Sequence, residues 1–76
     1  MKLLIIEDEL ELSASIVAYL SSENYVCEQA FTYDDALEKV NLYDYDCVLL
    51  DLMLPGGNGL DILQEIRKNR NSVGVI

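Results

Sequence analysis

The sequence has no histidine and no tryptophan, a single proline, four glycines and only five basic residues. Without histidine, Ser-His-Asp and Cys-His catalysis and most zinc sites are excluded. Five bases against 14 acids leave a net charge of −9. That balance argues against nucleic-acid binding, because a phosphate backbone needs a basic partner surface, and against an anionic membrane surface for the same reason. Cationic partners and metal ions are favoured instead. No apolar run approaches the roughly 20 residues needed to span a bilayer. The first strand-like run opens directly after Lys2, so no secretory signal is visible and none is expected. Cysteine is scarce: Cys27 and Cys47 lie within apolar, strand-like runs without metal-type spacing. They read as two buried thiols in a reducing compartment, and the chain reads as cytoplasmic.

What is present suits one small domain. The 76 residues are 51% hydrophobic, near the lower limit at which a single apolar core suffices. Lys2–Ile6 is a continuously apolar run that fits a strand buried on both faces. Glu9–Ser22 carries Leu12, Ile16 and Leu20 at i, i+4 spacing and predicts an amphipathic helix, closed by turn-forming residues 21–24. Tyr25–Ala30 predicts a second strand with a mixed face, suited to a sheet edge. Thr32 followed by Asp35 resembles a capping box and opens a shorter helix with Ala36, Leu37 and Val40. After a polar loop, Cys47–Leu50 predicts a third strand. Pro55-Gly56-Gly57-Asn58-Gly59 is the strongest loop signal. Asn58 suits an N-cap and Asp61 a first turn. Ile62, Leu63 and Ile66 then form the stripe of a third helix, with Arg67, Lys68 and Arg70 near its end. Ser72–Ile76 begins a fourth strand. The β-α-β-α-β-α-β order implies a parallel sheet with right-handed crossovers and helices on both faces.

The first and third strands both run into acid: Glu7-Asp8 follows the first and Asp51 the third. If these strands are parallel neighbours, their carboxyl ends meet at the edge where open α/β sheets place ligands. Three carboxylates crowded there repel one another, and a shared proton or a bound cation relieves them. Mg²⁺ suits such a site, since it takes one or two carboxylates together with waters and phosphate oxygens.

The stretches Leu3-Leu4-Ile5-Ile6-Glu7-Asp8-Glu9 and Asp46-Cys47-Val48-Leu49-Leu50-Asp51-Leu52-Met53-Leu54-Pro55-Gly56-Gly57-Asn58-Gly59-Leu60 together resemble the receiver domain of bacterial two-component response regulators. The resemblance covers residues 1–76 and corresponds to about the first 60% of such a domain, incomplete at its C-terminus, judged against the family's usual domain size. It implies a flavodoxin-like (CheY-like) doubly wound α/β sheet in the order 2-1-3-4, stopping after the fourth strand. It implies Asp51 as phospho-acceptor from the phosphohistidine of a sensor histidine kinase. It implies Mg²⁺ on Asp8, Asp51 and the Met53 backbone carbonyl, with Glu7 acting through a water, and Pro55 and Gly59 shaping the loop. The segments Asp51–Leu60 and Leu63–Lys68 look most like the class with a C-terminal winged-helix DNA-binding domain, so the parent would control transcription, with no nucleic-acid contact from this segment. The protein would be a phospho-acceptor and not a turnover enzyme.

The family pattern continues with a Ser or Thr ending the fourth strand and a Lys ending the fifth. Neither lies in this sequence, and Lys2, Lys39 and Lys68 stand elsewhere. Metal binding is therefore expected to survive and phosphotransfer to be impaired. An open strand edge and uncovered apolar sheet favour a homo-oligomer. The alternative is an interaction or oligomerisation module without phosphorylation. A haloacid-dehalogenase-like phosphatase would need a second Asp where Met53 stands. A flavodoxin-like electron carrier would need a phosphate-binding loop where Glu7-Asp8-Glu9 stands.

Overall fold

A computed structural model describes residues 1–69 and 73–76. The elements in chain order are β1 (Lys2–Ile6), α1 (Leu10–Ser22), β2 (Val26–Ala30), α2 (Tyr33–Leu42), β3 (Cys47–Leu50), β4 (Met53–Leu54), β5 (Gly57–Asn58), α3 (Gly59–Asn69) and β6 (Gly74–Val75). Four strands form one sheet in the order β2-β1-β3-β6, parallel throughout. This is the expected 2-1-3-4 arrangement, with β6 as the fourth strand. Arg70 and Ser72, expected at the end of the last helix and the start of that strand, lie outside the described residues.

Alternation along β1 assigns its side chains to two layers. Leu4 and Ile6 join Val48, Ala36, Val40 and Ile62 in the main core, beneath α2 and α3. Leu3 and Ile5 are also buried and face α1. β1 is thus covered on both sides, which is why its sequence is apolar throughout. Among the described residues β2 pairs only with β1, in keeping with its mixed sequence.

Three local expectations are corrected. Leu12 is exposed, and the inward stripe of α1 runs instead through Ser13, Ile16, Val17 and Leu20. Ser13 can lie inward because the Gln29 amide on β2, on the same side of the sheet, donates to its hydroxyl at 2.9 Å, so the buried serine is satisfied. Cys27 and Cys47 are half-buried, free thiols. Both share a rung with Leu3 on the α1 side of the sheet, where α1 packs over β1 and β2 and only partly covers the flanks. Finally, the loop after Asp51 contains order of its own: Met53 pairs with Asn58 and Leu54 with Gly57 in a short antiparallel ribbon.

The caps follow the sequence. Thr32 Oγ1 accepts from the Asp35 amide at 3.2 Å, and Asn58 Oδ1 accepts from the Leu60 amide at 2.9 Å. Thr32→Ala is expected to cost about 1 kcal/mol, seen as a melting-temperature drop of about 4–8 °C for a domain of this size. An unchanged melting curve would show that the cap contributes nothing.

Candidate metal and acceptor site

The site is made by register. Ile6 and Leu50 share the last rung between β1 and β3, and the ladder runs one bond further. The Glu7 amide donates to the Ala30 carbonyl and the Asp51 amide to the Ile6 carbonyl, each at 3.0 Å. Glu7 and Asp51 therefore leave the sheet side by side, with Asp8 next along the chain.

One carboxylate oxygen from each of Glu7, Asp8 and Asp51 lies within 4.8 Å of the other two. Asp8 is exposed, while Glu7 and Asp51 are half-buried. Backbone amides brace two of the three: Glu9 N–H donates to Glu7 Oε2 at 3.1 Å and Met53 N–H to Asp51 Oδ1 at 3.0 Å. The Glu7 carboxyl is held above its ordinary value. The Glu9 amide pulls it down, but partial burial, the Asp51 charge and hydrogen bonding with Asp8 and Asp51 outweigh that pull. Two of the chain's bases are committed elsewhere, Lys2 to Glu28 and Lys39 to Asp35.

The donor set fits a hard divalent cation. All its atoms are oxygens, and opposite ligands on Mg²⁺ at about 2.1 Å stand about 4.2 Å apart. A spread of up to 4.8 Å suits two direct carboxylates and a third reaching through water. In the ion's absence the repulsion has a sign. A carboxyl raised in the folded state contributes stability below its ordinary value of 4.5, and that contribution is lost as pH rises through the folded value. In EDTA at neutral pH, Glu7→Gln is expected to melt above wild type, with the gap closing toward about pH 4, near the unperturbed glutamate value. A gap that widens in acid would refute this.

Pro55 lies in the segment between β3 and α3, and Gly59 opens α3. A Cβ on Gly59 would stand 2.6 Å from the Asp51 carbonyl oxygen, so only glycine lets α3 begin against the loop that follows Asp51. The Gly59 amide donates to the Leu52 carbonyl at 2.9 Å, and the Pro55 carbonyl accepts from the Tyr33 amide at 3.1 Å. Met53 is 84% exposed, with its backbone in the β4–β5 ribbon and its side chain turned to solvent. Tyr33 was not expected here. The signal available in the sequence was the doubled glycine, Gly56-Gly57, which marks backbone approached closely by something else.

The sequence profile of the response regulator receiver domain matches residues 3–76. The chain belongs to this family. As a receiver domain it is 42% identical over 66 residues to the regulatory protein VanR of Enterococcus faecium, covering 87% of this chain and 29% of VanR. It is 43% identical over 68 residues to the transcriptional regulatory protein DltR of Streptococcus agalactiae, covering 90% of this chain and 30% of DltR. The chain thus spans about a third or less of these curated relatives. Among solved structures, the response regulator TrrA of Thermotoga maritima, in complex with Mg²⁺-BeF, superimposes with a TM-score of 0.90 at 31% identity, over 97% of this receiver and 64% of TrrA. TrrA has also been crystallised with the histidine kinase ThkA. No helix among the described residues is long and apolar enough to cross a membrane.

Proposed function

We propose that this receiver accepts a phosphoryl group on Asp51 from the phosphohistidine of a sensor histidine kinase in the cytoplasm. The observation that carries the reading is the convergence of Glu7, Asp8 and Asp51 within 4.8 Å at the carboxyl ends of adjacent parallel strands. Asp8, Asp51 and the Met53 carbonyl would hold Mg²⁺, with Glu7 acting through a water; the ion supplies charge neutralisation for an anionic phosphoryl meeting an anionic nucleophile. The Met53 amide fixes one Asp51 oxygen at 3.0 Å and so orients the other as the attacking atom. That oxygen forms the O–P bond while the P–N bond to the kinase imidazole breaks, and the imidazole nitrogen takes the electron pair. The chain is an acceptor that is consumed and regenerated, not a turnover enzyme.

Two features extend the reading. The relatives' greater length and names support a parent in which residues 1–76 form the N-terminal part of the receiver, incomplete at its C-terminus, and govern a DNA-binding output domain. Half-buried Cys47 and Leu49, with exposed Leu12 and Tyr19, support self-association of this chain across the α1 side of the sheet or along β6. Sedimentation showing a monomer at high concentration would remove that part.

Incubation with a small phosphodonor and Mg²⁺, followed by intact-mass analysis and peptide mapping, tests the central reading. A mass increase on Asp51, below one phosphoryl per chain and abolished by EDTA, is expected. Label on another residue, or label indifferent to EDTA, overturns it.

A further inference from the structure

The doubled glycine has a partner that lies 24 residues earlier in the chain. Tyr33 is the first residue of α2, half-buried and packed against the main core. A Cβ on Gly57 would clash with Cγ, Cδ1 and Cε1 of the Tyr33 ring, and one on Gly56 would lie 3.7 Å from Tyr33 Cβ. The ring therefore occupies the space that a side chain at position 57 would fill. The backbone makes the same connection, since the Tyr33 amide donates to the Pro55 carbonyl at 3.1 Å. Gly56, with φ +92°, supplies the left-handed residue that turns β4 into β5.

From Gly57 the linkage continues to the acceptor. Gly57 pairs with Leu54, and Met53 with Asn58, across the ribbon. The Met53 amide then holds Asp51 Oδ1. We propose that Tyr33 is a positioning residue for the acidic site: its ring clamps the β4–β5 ribbon against α2 and so sets the Met53 backbone relative to Asp51. The inference rests on the metal reading given above for that site and adds what holds one side of it. The chain leaves β3 at Asp51 and enters α3 at Gly59, and the ribbon between them has to be held in place against the rest of the fold. The tip, residues 55–57, is fixed by Tyr33 through its ring and amide.

Ring packing and metal geometry separate in experiment. Mg²⁺ binding to the 76-residue chain is measured by calorimetry, and protection of the Met53 amide by hydrogen exchange without metal. Tyr33→Ala is expected to weaken Mg²⁺ binding about tenfold, as substitutions supporting a metal ligand do, and to expose the Met53 amide. Tyr33→Phe, which keeps the ring, is expected to restore both. Gly57→Ala is expected to mimic Tyr33→Ala on its own and to add nothing in the Tyr33→Ala background, where the ring is gone. Val40→Ala, a core deletion elsewhere on α2, is expected to lower the melting temperature without moving the Mg²⁺ affinity. Tyr33→Ala binding Mg²⁺ within twofold of wild type, or strictly additive effects of the two substitutions, overturns the proposal and leaves the metal reading standing. A wild-type chain that binds no Mg²⁺ through Asp8 and Asp51 overturns both.

Discussion

Asp51→Asn is expected to reduce phosphoryl incorporation to background while making the metal-free protein more stable at neutral pH. The two effects have one origin. Asparagine keeps the shape of aspartate and an oxygen to accept the Met53 amide, so the loop retains its bond. It has no anionic oxygen to attack phosphorus. It also removes one of three charges whose oxygens lie within 4.8 Å. Two unit charges about 4 Å apart repel by about 4 kcal/mol at an effective dielectric near 20, and the exposure of Asp8 lets solvent and salt reduce that figure. The relief therefore shows as a modest rise in melting temperature in EDTA. With Mg²⁺ the order inverts: losing a ligand lowers affinity by about a hundredfold or more, given that supporting groups alone cost ten to a hundred. Wild type then gains more from the ion. Intact-mass labelling and melting curves with and without Mg²⁺ check both halves. A variant that still takes label at position 51, or that melts below wild type in EDTA, contradicts the account.

Much of this arrangement could be read from the chain because the strands that build it are simple. Leu3–Ile6 and Val48–Leu50 are apolar on both faces, and a strand covered on both sides has little other sequence open to it. The acids that follow are then placed by topology. The register was not legible, since nothing local says that Ile6 stands beside Leu50; the two carboxylates meet only because it does. Leu12 was misread for a related reason. Its spacing fits one apolar face, but the inward face runs through Ser13, Ile16, Val17 and Leu20, and a serine is tolerated there because Gln29 on another element satisfies its hydroxyl. The β4–β5 ribbon escaped because Pro55, Gly56 and Gly57 are turn-formers in any context, and what they are shaped around is Tyr33. The two cysteines suit strands in composition, and their half-burial depends on how far α1 reaches across the sheet. In each case the missing information is a contact across space, which no local pattern encodes.

Ile62→Ala is expected to remove a large share of the total stability and to unfold the metal-free chain in part at physiological temperature. Ile62 is fully buried, between α3 and the sheet, in the same cluster as Leu4, Ile6 and Val48. Cutting a buried isoleucine back to alanine costs about 2–5 kcal/mol, the spread reflecting how far the site collapses. A chain of this length has about 4–11 kcal/mol in all at the usual 0.05–0.15 per residue, so there is little reserve. The damage reaches the acidic site because α3 begins at Gly59, whose amide is bonded to the Leu52 carbonyl, one residue past Asp51. Leu52→Ala is the contrast: Leu52 is 48% exposed, and substitutions of that kind fall within about 0.5 kcal/mol. Mg²⁺ distinguishes a loosened fold from a lost site. A ligand at a hundred times its dissociation constant stabilises by about 2.7 kcal/mol, comparable to the lower end of the Ile62→Ala cost. Urea denaturation should therefore show the Ile62→Ala midpoint shifted well down in EDTA and largely recovered in saturating Mg²⁺. The double variant with Asp8→Asn should not recover. Recovery in the double variant would show that the ion is held without Asp8.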